Sequence, residues 1–89
     1  MRESTGGDAS RLVVLYSREE CCLCDDALRE IEAARATVPF RLRVVDVDGD
    51  PELARRYGHE VPVVEIDGRK AFKYRVTSRE LLRRLRRAS

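Results

Sequence analysis

The chain has 89 residues and a mass of 10.2 kDa, which is room for one domain built around one compact core. Hydrophobic residues make up 43% of it, an apolar content that suits a folded globule and argues against disorder. The 18 Lys and Arg nearly balance the 16 Asp and Glu, and the net charge of +2 excludes the uniform basicity of a nucleic-acid module.

Residues 1–10 are mostly polar and contain no apolar run. We therefore expect a flexible lead-in rather than a secretory signal, and a single domain over residues 11–89. No stretch of the chain approaches the ~18 consecutive apolar residues of a membrane span, so we expect no membrane partner. A cytoplasmic, reducing setting is the corresponding expectation.

The first half of the chain predicts a strand, a helix and a second strand. Residues 12–16 form a continuous apolar run typical of a central strand covered on both faces. From about Cys22 the apolar residues recur at spacings of three and four, which predicts an amphipathic helix that ends before Pro39. Residues 40–47 begin with alternating apolar and basic residues, which predicts a half-buried strand.

The second half predicts a short helix, a hairpin and a final helix. Residues 50–58 begin with Asp-Pro and end with Gly, the residues favoured at the two ends of a helix. Residues 61–66 and 69–74 read as strands joined by an Asp-Gly hairpin turn. Thr77 and Glu80 form a capping-box pattern at the start of the last helix.

The element order is therefore β-α-β-α-β-β-α. The first two strands should be parallel with a right-handed crossover, and the last two antiparallel. We predict an α/β domain with a four-stranded mixed sheet flanked by three helices.

All three cysteines fall in the segment Cys21-Cys22-Leu23-Cys24. A framework of structural disulfides would join distant segments, so this cluster does not indicate one. Redox chemistry, metal binding and coincidence remain as explanations. The cluster stands where a strand gives way to a helix, and the helix N-terminus would stabilise a thiolate at Cys21. Cys24, one turn further on, could resolve a mixed disulfide. Cys22 is expected to pack as a small apolar residue, with an auxiliary redox role as the alternative.

The sequence resembles glutaredoxin-like members of the thioredoxin-fold superfamily, and most of all a short branch with adjacent cysteines. The resemblance runs from about Leu12 to Leu85. It rests on the segment from Tyr16 to Cys24, on residues 46–58, on Val61-Pro62 and on the Asp67-Gly68 turn.

The resemblance implies a thioredoxin-like fold with Cys21 as nucleophile and Cys24 as resolving thiol. It implies a cis peptide before Pro62, which would lie against the C-x-x-C. The Val61 backbone would pair with the substrate, and Arg18 would replace the Lys that binds the carboxylate of glutathione.

The chain also departs from this family. Glu60 stands where glutaredoxins usually carry Thr, and Leu23 replaces an aromatic residue. Residues 72–75 read Phe-Lys-Tyr-Arg where the family carries Gly-Gly. Bulky side chains there would crowd a backbone that glutathione must approach closely.

We therefore predict a monomeric thiol-disulfide oxidoreductase without a resident cofactor. Its expected partners are a protein disulfide or glutathione, the latter a candidate co-substrate, and an unidentified electron donor. Two alternatives remain open. Cys21, Cys22, Cys24 and His59 could form a Cys₃His metal site. The arginine-rich segment 79–87 could instead serve a non-catalytic interaction module, although without interleaved aromatic residues it does not indicate nucleic acid.

Overall fold

A computed structural model describes residues 11–87, so the predicted lead-in over residues 1–10 lies outside the described residues. The elements follow the predicted order: β1 (Leu12–Ser17), α1 (Cys22–Arg35), β2 (Arg41–Asp46), a 3₁₀ turn (Val47–Gly49), α2 (Pro51–Tyr57), β3 (Val63–Ile66), β4 (Arg69–Lys73) and α3 (Ser78–Arg87). The predicted α/β architecture is confirmed. Among these helices, none is both long enough and apolar enough to cross a membrane.

The four strands form one mixed sheet in the order β2-β1-β3-β4. Strands β1 and β2 are parallel, whereas β3 is antiparallel to both β1 and β4. Ser17 pairs with Asp46, Tyr16 with Val63, and Val63 with Lys73. The ends of β1, β2 and β4 and the beginning of β3 therefore meet at one end of the sheet, which we call the cysteine end because β1 leads there to Cys21.

The two faces of the sheet are packed against hydrophobic clusters of different size. On one face α1 and α3 pack over a large core in which Leu15, Ile31 and Leu81 are completely buried. Side chains alternate along a strand, so Tyr16 points to the other face. There it packs with Tyr57 and Val63 in a smaller cluster beside α2. Fully burying a side chain the size of Leu or Ile contributes about 1.5–3 kcal/mol, so the larger cluster supplies most of the stability.

Side chains cap α2 and α3 as predicted, and a carboxylate of α1 makes a further contact at the start of α3. The Asp50 carboxylate accepts the Glu52 N–H at the start of α2, 2.9 Å away. Thr77 Oγ1 accepts the Glu80 N–H of α3 at 3.1 Å, which is one half of the predicted capping box, and the Ser78 N–H donates to the Glu30 carboxylate of α1 at 2.7 Å. This contact joins the beginning of α3 to α1.

The hairpin turn and the end of β4 depend on left-handed backbone conformations. Asp67 and Gly68 have φ of 52° and 88°, as the primed turn of a two-residue hairpin requires. Tyr74 has φ of 72°, which is incompatible with an extended strand, so β4 ends at Lys73 rather than at the predicted residue 74. Val44, on the outer strand β2, is 50% exposed, so the half-buried pattern weakens along that strand.

Candidate active site

The cysteine end of the sheet collects the residues on which the sequence predictions depend. Cys21 is the N-cap of α1, with extended backbone angles of φ −119° and ψ 104°. Pro62 stands immediately before β3, and Tyr74 immediately after β4. Because these strand ends are neighbours in the sheet, Cys21, Pro62 and Tyr74 lie at the same end of the domain although they are distant in sequence.

The Sγ atoms of Cys21 and Cys24 lie within disulfide distance, and their Cα atoms are 5.2 Å apart. Cys24 is 3% exposed, whereas Cys21 is half-buried. The Cys21 sulfur also accepts the Cys24 backbone N–H at 3.1 Å. A donor in this position would stabilise a thiolate at Cys21, so the local geometry suits reversible formation of a disulfide within the helix turn.

Cys22 is exposed and free of a disulfide. It is the first residue of α1, and its neighbours Cys21 and Leu23 are also at least partly accessible. The expectation that Cys22 packs as a small apolar residue is therefore wrong, because the first helical turn presents it to solvent.

The peptide between Val61 and Pro62 is cis, as the resemblance implies. Pro62 is buried, and its carbonyl accepts the Tyr74 N–H at 2.8 Å. The loop before β3 is thereby joined to the segment that follows β4.

Arg18 connects three segments of the chain. Its Nη2 and Nε donate to the two carboxylate oxygens of Asp48 at 2.8 and 3.2 Å, and its Nη1 donates to the Gly58 carbonyl at 2.8 Å. The hydrogen bond from Arg18 holds the pKa of the Asp48 carboxyl below its usual value. The arrangement binds the loop before Cys21 to the 3₁₀ turn and to the end of α2. The role of Arg18 toward a substrate stays a prediction.

Glu60, which occupies the position of the family's Thr, lies between two lysines. Its carboxylate accepts Lys70 Nζ at 3.0 Å and lies 3.9 Å from Lys73 Nζ. The hydrogen bond from Lys70 lowers the pKa of the Glu60 carboxyl. These contacts fasten the loop before the cis-proline to β4.

A carboxylate that the sequence analysis missed lies beneath α2. Glu65 accepts the hydroxyls of Tyr16 and Tyr57 at 3.1 and 2.8 Å. Burial, followed by the charge and hydrogen bond of Glu65, raises the pKa of both tyrosines. The alternation of side chains along a strand could have revealed this contact. Tyr16 pairs with Val63, so Glu65, two residues further along β3, faces the same side of the sheet as Tyr16.

A groove of about 300 Å³ lies between α1 and the segment that joins β4 to α3, and its lining includes Leu23 of the C-x-x-C. Leu23 and Tyr74, which line it, are 42% and 47% exposed. The side chain of Tyr74 therefore stands at the rim of this groove, which we call the Leu23–Tyr74 groove.

The residues of the two alternative functions are placed differently. Within residues 11–87, no three His, Cys, Asp or Glu side chains converge as a metal site would require, and His59 is exposed. The structure therefore does not bring together the Cys₃His set.

The basic side of α3 is exposed at Arg79, Arg83 and Arg86, while the Arg84 guanidinium lies 5.7 Å from the ring centre of Phe72.

Comparison with known proteins agrees with the predicted resemblance to glutaredoxin-like proteins. Residues 12–86 match the model of a family described as "Glutaredoxin-like domain (DUF836)". An uncharacterized protein of Mycobacterium tuberculosis is 28% identical over 74 residues, which cover 78% of this chain and 76% of that protein.

Solved structures show the same likeness. The X-ray structure of target protein XcR50 from X. campestris has a TM-score of 0.74 and 31% identity, and the match covers 86% of this chain and 99% of that chain. Protein Ne2328 from Nitrosomonas europaea has a TM-score of 0.71 and 26% identity, covering 91% and 94%. Chloroplastic thioredoxin z, at 17% identity and a TM-score of 0.71 over 89% and 78%, shares the fold.

Proposed function

The chain belongs to the glutaredoxin-like domain family, and from that premise we propose that it is a thiol-disulfide oxidoreductase. The observation that carries the proposal is the Cys21–Cys24 pair at the beginning of α1, with its sulfurs within disulfide distance and the Cys24 N–H directed at Cys21. A half-buried Cys21 beside a buried Cys24 suits an attacking thiol followed by a resolving one.

In the proposed reaction the Cys21 thiolate attacks one sulfur of a substrate disulfide. A bond forms between Cys21 and that sulfur, the substrate S–S bond breaks, and the other sulfur leaves as a thiolate that takes a proton from water. The Cys24 thiol then loses its proton to water and attacks Cys21 Sγ. The second substrate thiol is released, the enzyme holds the Cys21–Cys24 disulfide, and two electrons have passed to the substrate.

The surrounding segments support specific roles in this scheme. The backbone of Val61, next to the cis-proline, is proposed to pair with the segment that carries the target sulfur. Arg18 is proposed either to bind the substrate or to position the loops around it. In a reducing, cytoplasmic setting a second thiol compound would return the enzyme to its dithiol form.

The proposed substrates are protein disulfides and mixed disulfides of glutathione. In the reductive direction, the wild-type protein should release both substrate thiols and lose two of its own. Cys24→Ser should stop at a covalent adduct on Cys21, detected by intact mass, and Cys21→Ser should form no adduct there.

The adjacent, exposed Cys22 provides a matched control. Cys22→Ser should turn over like the wild type, since the proposed couple does not use this thiol. Turnover that persists in Cys21→Ser, or that disappears only in Cys22→Ser, would refute the assignment.

A further inference from the structure

We infer that the Leu23–Tyr74 groove receives an apolar side chain flanking the target cysteine of a protein substrate, and that Tyr74 thereby favours protein disulfides over oxidised glutathione. This inference rests on the proposed function and names the substrate class of that site.

The backbone of Tyr74 is the first observation. Its φ of 72° lies in the left-handed region, which is uncommon for a bulky aromatic residue. The hydrogen bond from Tyr74 N–H to the Pro62 carbonyl, at 2.8 Å, fixes this conformation beside the cis-proline. Non-glycine residues in this region of backbone conformation cluster at functional sites, which motivates a role for the Tyr74 side chain. Here the conformation leaves the tyrosine ring 47% exposed at the groove.

The groove has an apolar strip among charged lining residues. Ala27 and Val76 line it and are buried, at 2% and 5% exposure, while Leu23 and Tyr74 line it and remain accessible. Its volume of about 300 Å³ is at the lower end of the range for ligand sites, which suits a side chain rather than a whole cofactor. Because Leu23 belongs to the C-x-x-C, a side chain in the groove would lie beside that segment.

The charged groups around the groove narrow the choice of occupant. The N-terminus of α3 would ordinarily attract a small ligand's carboxylate, but the Glu30 carboxylate already receives the Ser78 N–H at 2.7 Å. Asp26 forms an ion pair with Arg29. Arg75 lines the same groove and forms no ion pair with any residue in 11–87. The complementary occupant is a peptide segment with an apolar residue beside its cysteine and an acidic residue further along.

The test compares symmetrical disulfides as substrates of the reduced wild-type protein. The first is the homodisulfide of a peptide with Leu on both sides of the cysteine and a Glu beyond. The second and third replace the Leu residues by Ser, or the Glu by Lys, and the fourth is oxidised glutathione. Second-order rate constants come from quenched-flow alkylation, each divided by the rate constant with dithiothreitol to remove differences in intrinsic reactivity.

We expect the Leu-Glu peptide to react about tenfold faster than the Ser peptide or oxidised glutathione, the discrimination that an apolar pocket typically supplies. The Lys peptide should fall between them. In Tyr74→Gly, which suits the left-handed backbone, the Leu-to-Ser ratio should fall toward one. Tyr74→Phe should keep the ratio, as should Val44→Ala, which shortens an exposed apolar side chain on β2.

The outcomes separate this inference from the proposed function. Equal normalised rates for all four disulfides, or an unchanged Leu-to-Ser ratio in Tyr74→Gly, would overturn the inference and leave the oxidoreductase intact. Failure to reduce any of the four would refute the proposed function, and the inference with it.

Discussion

Gly58 ends α2 at a point where an added methyl group has no space. Its backbone is right-handed, with φ −56° and ψ −30°, so the residue is not required for a left-handed cap. A Cβ at this position would lie 2.3 Å from the Ala54 carbonyl oxygen and 3.3 Å from its carbon. Both atoms belong to the backbone of α2, so the end of the helix would have to move.

We therefore expect Gly58→Ala to lower the free energy of unfolding by about 1–3 kcal/mol, the usual range for forcing an extra group into a packed site. That is a large share of the roughly 4–13 kcal/mol expected for a domain of this size. With a urea m-value of about 1–3 kcal/mol/M, the unfolding midpoint should fall by about 1 M. The Gly58 carbonyl accepts a hydrogen bond from Arg18, so the displacement should also slow disulfide exchange.

Gly49→Ala is the matched control. A Cβ at Gly49 meets no atom within 4 Å, so this change should be neutral or should stabilise the fold by about 0.4–1 kcal/mol through the unfolded chain. Both variants are measured by urea unfolding followed by circular dichroism. Equal midpoints for Gly58→Ala and Gly49→Ala would show that the steric reasoning is wrong.

Three further predictions concern polar contacts. Arg18→Lys and Asp48→Asn should each slow disulfide exchange several-fold, and the double variant should be no slower than Arg18→Lys, which already breaks the bidentate contact with Asp48 as well as the hydrogen bond to the Gly58 carbonyl; additive losses in a double-mutant cycle would contradict this. The pKa of Asp67 is lowered chiefly by a backbone N–H, so its carboxylate stabilises the fold above the unfolded pKa of about 4 and loses this effect as the pH falls through the folded value. The stability difference between the wild type and Asp67→Asn should therefore shrink in urea titrations from pH 6 to pH 3, and a constant difference would refute the linkage. Tyr57→Phe should cost about 1–2 kcal/mol by removing a hydrogen bond to the Glu65 carboxylate, and an unchanged urea midpoint would show that this contact contributes nothing.

Local signals in the sequence were sufficient to predict the order of the elements and a mixed sheet, whereas the thioredoxin-like fold was implied by the family resemblance. The periods of apolar residues distinguish strands from helices, and the Asp67-Gly68 pair specifies a turn whose two residues both have positive φ. The strand-to-helix position of Cys21 likewise follows from sequence, because the change of period occurs immediately after it.

The contacts around the candidate site could not be predicted from such local signals in the sequence. Arg18 and Asp48 are 30 residues apart, and Glu30 and Ser78 are 48 apart, so both pairs depend on how the strands are ordered in the sheet. The left-handed backbone of Tyr74 has no signature in a residue type that usually avoids it. Cys22 was misplaced because periodicity does not decide the orientation of the first residue of a helix.

A glutathione redox titration of the purified protein, read by thiol alkylation and mass, would show directly whether Cys21 and Cys24 form a reversible redox couple. We expect one reversible two-electron transition in the wild type and in Cys22→Ser. The transition should be absent in both Cys21→Ser and Cys24→Ser, since each lacks one sulfur of the couple. A protein that forms no reversible Cys21–Cys24 disulfide across the whole range of potentials would contradict the account.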